Sequence, residues 1–388
     1  MKVTKLHFLC IFIIACCLAI SSCTTNFKLL QEEKLSSSPW PYYHGDKSAQ
    51  GVASQGRFNG KIDIIWEKKL RGKPAGSLTM YDDLIIYPSA KRKIIIIDKY
   101  DGKNRGKIKT KGNPQTGMII GDSLGFWSLS PKKNRIYCYN LQNGKIVWDR
   151  YIKDAPGSPI LVEKRLFVFS GDGILESSDP ETGQVNWSYE AEERFLAPAA
   201  YGHGRVYQGG DAGTLFALSP EDGSVLYRTE TNDPITGVAV NDEIIVTAGV
   251  TGKITGVNPE DGEIIWETEL DGPVWSTPAI DGDRIYLSLS SGQIVSLEKM
   301  TGRLLWKFEV VEVVKAPPIV VGNYVVAGTL GGNLFVLDAS DGQVLNQRKF
   351  DSPISVSPIS DGDFIYIATE SAKLVCLGDT NGTVQQKN

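Results

Sequence analysis

The sequence predicts an all-β fold, an eight-bladed β-propeller made of four-stranded antiparallel blades and closed by an N-terminal strand in the last blade. Three observations lead to this prediction. A glycine turn recurs eight times at nearly constant spacing, each period contains four short apolar runs, and a spare copy of the fourth run stands near the N-terminus. Periods of about forty residues with four strands each are typical of propeller blades.

The recurring turn has a glycine that is followed, four residues later, by an aromatic residue in most periods. Successive glycines are separated by 42, 39, 40, 39, 40, 40 and 40 residues. They are Gly102, Gly144, Gly183, Gly223, Gly262, Gly302, Gly342 and Gly382. The aromatic position holds Trp148, Trp187, Tyr227, Trp266 and Trp306, and Gly106, Asn346 and Gln386 in the other periods. Glycine supplies the positive φ of such a turn, and we interpret the aromatic rings as wedges between neighbouring blades.

Residues 276–308 illustrate the strands of one period. Short runs rich in β-branched and aromatic residues, such as 284–288 and 293–297, are separated by Gly, Asp and Ser turns. Such runs predict antiparallel strands joined by tight hairpins. No segment carries a sustained apolar period of 3.6 residues, so we expect almost no helix.

The last period lacks its own fourth strand, because the residues that follow Gly382 are polar. Near the other end of the chain, Trp66 is followed by Glu67 in the same pattern as Trp266 and Glu267. We therefore expect residues 60–70 to supply the fourth strand of blade 8 and to close the ring.

The N-terminal residues have the features of an export signal. Lys2 and Lys5 precede an apolar run at 8–20. A short positive flank followed by about a dozen apolar residues is typical of a secretory signal, and the run is too short to span a bilayer as a permanent helix.

Residues 20–23, with the sequence Ile-Ser-Ser-Cys, resemble the bacterial lipobox. The resemblance implies that Cys23 is acylated and becomes the mature N-terminus, and that Thr24 after it directs the lipoprotein to the outer membrane. The divisions that we expect are a signal peptide at 1–22, a lipid-anchored tether and lead-in at 23–59, and the propeller at 60–388.

Composition and charge exclude several classes of protein. The chain has 41 Lys and Arg residues against 45 Asp and Glu, a net charge of −4, which argues against a nucleic-acid partner. After Cys23 only Cys138 and Cys376 remain. They occupy the same position in blades 2 and 8, which blade 1 separates, so we expect no disulfide between them. With so few His and Cys residues we expect no transition-metal site.

Two short motifs that suggest chemistry are better explained as turns. Residues 121–125, Gly-Asp-Ser-Leu-Gly, match a hydrolase signature, but they fall at the hairpin between the first two strands of blade 2. A nucleophile elbow requires a strand that leads into a helix. Residues 281–283, Asp-Gly-Asp, are not followed by the ligands of a calcium loop. We therefore predict no catalytic residue, no cofactor and no metal.

A basic stretch marks the fourth strand of blade 1. Lys103, Arg105, Lys107, Lys109 and Lys111 alternate along it, and a period of two places them on one face. Two interpretations remain open. The face is either a basic patch for anionic lipid headgroups or an acidic partner, or an outer edge that lysines protect against pairing with other strands.

The pattern Asp-x-x-Thr-Gly-x-x-x-Trp at 179–187 resembles the repeat of the pyrroloquinoline quinone (PQQ) type propellers. The Trp-x-x-x-x-Gly sequence at 40–45 is similar to the lead-in of that family, and the resemblance covers residues 40–382. One branch of the family is the quinoprotein dehydrogenases, which resemble each other in a vicinal disulfide and a calcium site. Here the adjacent cysteines, Cys16 and Cys17, lie within the signal peptide, so the resemblance favours the other branch.

That other branch is a non-enzymatic lipoprotein of the outer-membrane β-barrel assembly machinery. The resemblance implies a monomeric scaffold at the periplasmic face of the outer membrane, whose partner is a periplasmic domain of the β-barrel insertase. It also implies apolar and arginine contacts from a connector in a middle blade, here Arg194 and Phe195. A generic periplasmic or surface ligand-binding propeller is the alternative function, followed by a PQQ-dependent dehydrogenase.

Overall fold

The computed structural model describes residues 27–28, 40–53, 56–129, 133–155 and 157–380 of the chain. Eight four-stranded antiparallel blades follow one another in chain order, with one further short strand on blade 7, which confirms the predicted propeller. The described ranges contain no helix, and so none with the length and apolar character that crossing a membrane requires. The predicted signal peptide and Cys23 lie outside these ranges.

Blades 1 to 4 each run from the innermost to the outermost strand. The strands of blade 1 are Thr79–Tyr81, Leu84–Ser89, Lys93–Asp98 and Asn104–Lys109; of blade 2, Ile119–Gly121, Leu124–Ser128, Arg135–Asn140 and Lys145–Tyr151; of blade 3, Ile160–Val162, Arg165–Phe169, Ile174–Ser178 and Val185–Glu190; of blade 4, Ala200–Gly202, Arg205–Gly209, Thr214–Leu218 and Val225–Glu230.

Blades 5 to 7 repeat this order, and blade 8 combines both ends of the chain. The strands of blade 5 are Ile235–Val240, Ile245–Gly249, Lys253–Val257 and Ile264–Glu269; of blade 6, Ala279–Asp281, Arg284–Leu289, Gln293–Glu298 and Leu304–Glu309; of blade 7, Ile319–Val321, Tyr324–Gly328, Asn333–Asp338 and Val344–Lys349, with Val52–Ala53 added in parallel; of blade 8, Ile359–Ser360, Ile365–Ala368, Lys373–Gly378 and Asp63–Lys69.

The ring is closed by the N-terminal strand, as predicted. Asp63–Lys69 pairs antiparallel with Lys373–Gly378, and Trp66 lies opposite Cys376. The Nζ of Lys61 is 2.8 Å from a carboxylate oxygen of Asp379 beside this pair. Blade 8 is therefore assembled from residues more than three hundred positions apart in the sequence, which makes closure depend on both ends of the propeller.

The aromatic residues of the fourth strands are wedges between blades. The indole Nε1 of Trp266 donates a hydrogen bond to the carbonyl of Lys299 at 2.8 Å, and its ring covers Gly302 in the next blade. A Cβ at Gly302 would lie 2.3 Å from that ring, so this turn tolerates only glycine. The same contact with the next blade is made by Trp66, Trp148, Trp187, Tyr227 and Trp306. The interpretation as wedges is confirmed.

A small residue faces each wedge across the blade. Cys138 pairs with Trp148, and Gly256, where a Cβ would lie 2.3 Å from the indole, pairs with Trp266. Blade 1, which has no wedge of its own, carries the larger Ile96 at this position. The cysteines are thus small residues that make room for a ring.

Both cysteines are buried and free, so the predicted absence of a disulfide between them is confirmed. Burial raises the pKa of the Cys138 thiol to about 12. Because the thiolate is the reactive form, this thiol stays protonated and inert at neutral pH.

The missing wedge of blade 1 is replaced by two residues of the N-terminal segment, Phe27 beside Gly106 and Lys28, whose side chain covers Gly144 in the next blade. A Cβ at Gly106 would lie 2.6 Å from the Phe27 ring, which packs in the core between blades 1 and 2. The Phe27 amide donates to the carbonyl of Lys107 at 2.9 Å, and the Tyr139 hydroxyl donates to the carbonyl of Phe27 at 2.5 Å. The lead-in is therefore attached to the outer strand of blade 1.

Residues 40–53 cross one end of the propeller axis. Within its own blade, each innermost strand leaves one edge unpaired. Residues 40–53 supply backbone carbonyl acceptors to five of these strands. The hydrogen bonds run from Met80 to Trp40 (2.8 Å), Tyr201 to Lys47 (2.8 Å), Val240 to Ser48 (2.9 Å), Ile280 to Gln50 (2.9 Å) and Val320 to Gly51 (2.8 Å). Trp40 is fully buried. The segment that resembled a lead-in is thus an integral plug of the ring.

His44 lies at the centre of this plug. Its side chain is buried, and neither ring nitrogen has a hydrogen-bond partner among the described residues. Burial disfavours the charged imidazolium and lowers the pKa of His44 to about 3. The ring is therefore neutral at neutral pH.

We expect Trp266→Ala to lower the free energy of unfolding by about 3–5 kcal/mol, since it removes a buried wedge and leaves a cavity between blades 5 and 6. Trp275→Ala is the matched control, because that ring is 48% exposed, and its cost should stay below about 1 kcal/mol. Urea unfolding followed by far-UV circular dichroism measures both. Equal losses for the two variants would contradict the role assigned to the wedge.

We expect His44 to make the fold acid-sensitive. Between its folded pKa of about 3 and the ordinary value near 6.5, the unfolded chain binds a proton that the folded chain does not. Stability is then lost as the pH falls through this window, by at most about 1.4 kcal/mol per pH unit.

His44→Gln cannot titrate, so its urea midpoint should change less than that of the unsubstituted protein between pH 7 and pH 5. The comparison uses the change of the urea midpoint with pH, so the pH-independent cost of burying the glutamine amide cancels. Parallel curves for the two proteins would refute the burial of a neutral histidine.

Candidate partner-binding site

The two faces of the ring differ in what they present. The face called here the turn face carries the hairpins between first and second strands and the glycine turns between third and fourth strands. The opposite face, the connector face, carries the segments that join the fourth strand of one blade to the first strand of the next. Residues 40–53 bind next to the first hairpins, so the plug closes the axis at the turn face.

Arg194 and Phe195 lie on the connector between blades 3 and 4. Arg194 is exposed, and its Nε is 2.7 Å from a carboxylate oxygen of Asp211. Phe195 is fully buried, where it packs edge-on against Phe216 with ring centroids 6.0 Å apart. The expectation for Phe195 is corrected: its ring fills the core between blades 3 and 4 and is not available to a partner. Arg194 stays a candidate.

The acidic residues of the connectors brace the hairpins beneath them. Glu193 accepts a hydrogen bond from the Ala212 amide at 2.8 Å, and Glu312 accepts from Asn333 Nδ2 at 2.8 Å and from Lys349 Nζ at 3.0 Å. Burial acts to raise the pKa of Glu312, but the hydrogen bonds outweigh it and lower that pKa below its usual value. The glutamates near Arg194 therefore include a structural residue that holds its connector in place.

Large apolar side chains are exposed on the connector face. Leu196 is 38% exposed, Trp275 48% and Val313 42%, and Val311 projects fully into solvent. Trp275, Val311 and Val313 stand on two consecutive connectors, on either side of blade 6. Aromatic and apolar side chains that the fold itself does not bury are typical anchors of protein interfaces.

Trp275 escaped the sequence-based prediction, although one signal pointed to it. It lies only nine residues after the wedge Trp266, out of register with the repeat. A tryptophan outside the wedge position has no partner turn in the next blade. The irregularity in the repeat sets Trp275 apart from the wedges, but Trp127 is also outside the wedge position and is buried, so the exposure of Trp275 follows from its place on a connector.

The hydrolase-like motif forms a hairpin, as expected. Asp122 and Ser123 are its two central residues, both with positive φ, and Ser123 Oγ accepts a hydrogen bond from Gln142. A cavity of about 760 Å³ lies beside this hairpin between blades 2 and 3, and Glu163 and Glu181 are among its lining residues. In the described part of the chain no three His, Cys, Asp or Glu residues are grouped as a metal site requires.

The basic strand of blade 1 is divided by a β-bulge. The pairing with the third strand shifts between Ile96 and Ile97, and Arg105 is the extra residue, so the five basic side chains do not form one continuous row. Lys103 pairs with Asp101 at 2.7 Å and Arg105 lies 3.9 Å from Asp98. The expectation of a single uniform face is therefore corrected. Beyond the bulge, Lys107 and Lys109 form no ion pair with a described residue, whereas Lys111 lies 3.7 Å from Asp149.

Comparison with known proteins places this geometry in a family. Residues 125–234 and 212–388 match the family model described as outer membrane protein assembly factor BamB. No curated protein matches the sequence.

The solved structures that match this chain are similar to it in fold, but their sequence identity to it is low. BamB from Moraxella catarrhalis has 16% sequence identity and a TM-score of 0.72, over 82% of this chain and 100% of that chain. A europium-containing methanol dehydrogenase has 12% identity and a TM-score of 0.75, over 86% of this chain and 89% of that one. A quinohemoprotein alcohol dehydrogenase from Comamonas testosteroni has 12% identity and a TM-score of 0.76, over 91% and 82%. At these identities the likeness concerns the fold alone.

Proposed function

The chain belongs to the family of outer membrane protein assembly factor BamB, whose model matches more than half of its residues, and from this premise we propose that it is a non-enzymatic scaffold for the assembly or insertion of outer-membrane β-barrel proteins. The observation that carries the proposal is the connector face, where Trp275 and Arg194 are exposed on a rigid ring. The proposed partner is a periplasmic domain of the β-barrel insertase.

The connector face has the chemistry of a protein-binding surface. Tryptophan and arginine are enriched among the residues that contribute most to binding, and both are exposed here at one face. Glu193 and Glu312 fix their connectors by hydrogen bonds to the following hairpins. A preorganised surface loses little conformational entropy when a partner binds, which favours a scaffold.

The turn face favours a scaffold over a PQQ-dependent dehydrogenase. At this end of the axis the space is filled by the chain's own residues 40–53, which are hydrogen-bonded to five blades. Cys138 and Cys376 are held in different blades, in the core, and have no vicinal arrangement. The plug makes the ring rigid, and the separation of the two cysteines rules out a vicinal disulfide between them.

The proposed location is the periplasmic face of the outer membrane, with the lipid on Cys23. We expect mass spectrometry of the mature protein to find an acylated N-terminal peptide that begins at Cys23. Cys23→Ala should leave the signal peptide uncleaved and remove that peptide. A mature N-terminus at another residue, without acyl chains, would contradict the lipid anchor.

The partner is tested by affinity capture from detergent-solubilised native membranes, with the tagged full chain and identification by mass spectrometry. We expect the unsubstituted chain to capture the β-barrel insertase. Trp275→Ala and Arg194→Glu should each weaken capture about 30-fold, the change that corresponds to about 2 kcal/mol for a residue central to an interface.

Matched controls come from the outer strands. Leu226→Ala removes a side chain that is 49% exposed, and Arg303→Glu changes an exposed arginine that pairs with Glu298. Both should capture as the unsubstituted chain does. Capture of a different envelope protein without the insertase would overturn the assembly role and favour a generic ligand-binding propeller.

A further inference from the structure

Six basic side chains gather at the outer corner of blade 1, on the side of the connector face. This set, called here the blade 1 basic surface, consists of Arg71, Lys91, Arg92, Lys93, Lys107 and Lys109. It stands in a chain whose net charge is −4, so the concentration of positive charge is local.

The fold brings these residues together from three segments. Lys93 and Lys109 are direct cross-strand partners, and the Thr110 amide donates to the carbonyl of Arg92 at 3.0 Å. The connector that contains Arg71 lies against the same hairpin, because a Cβ at Gly72 would be 2.5 Å from the Lys91 side chain. The third strand, the fourth strand and the incoming connector therefore share one positive surface.

None of the six residues forms an ion pair within the described ranges, although basic residues at the margins do. Lys73 pairs with Glu370 at 3.5 Å, and Lys111 lies 3.7 Å from Asp149. Like charges directly opposite each other on a sheet are destabilising, as at Lys93 and Lys109. Burial, together with the charges of Arg71 and Lys107, lowers the pKa of Lys93. An unneutralised cluster of this kind is suited to an external anion.

The N-terminal segment leads from this surface to the proposed anchor. The amide of Phe27 donates to the carbonyl of Lys107, within the basic surface itself. Cys23 is four residues earlier, so an extended chain places it no more than about 14 Å from Phe27. A lipid on Cys23 would therefore hold the bilayer surface beside the adjoining edges of blades 1 and 2 and not beside the far side of the ring.

We propose that the blade 1 basic surface binds the anionic phospholipid headgroups of the membrane in which the chain is anchored, and that the propeller thereby stands with the edge of blade 1 on the bilayer. Both the orientation and the choice of headgroups over an acidic protein rest on the proposed anchor at Cys23, whereas the vesicle experiment below measures the headgroup contact without it. The short tether favours a bilayer over an acidic protein, since it brings headgroups to these cations without a further partner. Edge-on placement leaves both faces of the ring accessible from the periplasm.

The headgroup contact is tested with the mature chain carrying Cys23→Ser, so that no acyl chain contributes. We expect it to co-sediment with vesicles of phosphatidylcholine that contain 30 mol% phosphatidylglycerol, and not with pure phosphatidylcholine. Binding should disappear in 0.5 M NaCl, because salt screens exposed charges.

Each Lys or Arg held at an anionic bilayer strengthens binding about fivefold. The double variant Lys107→Glu/Lys109→Glu should therefore bind at least about 25-fold more weakly. Arg71→Glu/Lys91→Glu supplies a second, independent pair in case the first perturbs the strand. The matched control is Lys164→Glu/Lys315→Glu, which reverses two exposed lysines, one in the first hairpin of blade 3 and one on the connector between blades 6 and 7, and should bind as the parent does.

Equal binding to both kinds of vesicle, no binding at low salt, or an equal loss in the control pair would each overturn the headgroup contact. Thermal unfolding of every variant verifies that the ring is intact. Mass spectrometry of Cys23 reports separately on the anchor. If the chain binds anionic vesicles but Cys23 is not acylated, the headgroup contact is supported and the edge-on orientation is refuted.

Discussion

The structure depends on one contact, in which an aromatic ring from the outer strand of a blade covers the glycine turn of the next. Each contact combines the burial of a large apolar ring with a hydrogen bond from its polar atom to a turn carbonyl, as for Trp266 and Lys299. A four-stranded sheet cannot bury both of its faces alone, so every blade is stabilised by its neighbours. The small residue opposite each ring and the glycine beneath it are requirements of the same contact.

The N-terminal segment completes the ring at three places where the repeat is incomplete. Phe27 supplies the ring that blade 1 lacks, residues 40–53 pair the free inner edges, and Asp63–Lys69 becomes the outer strand of blade 8. Each contact satisfies apolar surface or backbone groups that would otherwise meet water. The segment thus joins the outside of the ring, its axis and its closing blade.

These contacts divide the functions of the surface. The turn face is occupied by the plug at its centre, and the connector face presents Trp275 and, on a connector braced by Glu193, Arg194. The edge of blade 1 carries basic side chains that form no ion pair with any residue the structure describes. Under the proposed function, separate surfaces for membrane and partner would let one rigid ring hold both at once.

The sequence alone determined the number of blades, the wedge positions and the closing strand, because these depend on local turn chemistry and on a repeat that is visible in one chain. Tertiary structure decided what the irregular positions do. Phe195 and Trp275 are both aromatic residues on connectors, yet one is buried and the other exposed, since burial depends on how a connector lies over the following blade. The β-bulge at Arg105 and the docking of Phe27 at Gly106 likewise follow from contacts between distant segments, which no local pattern records.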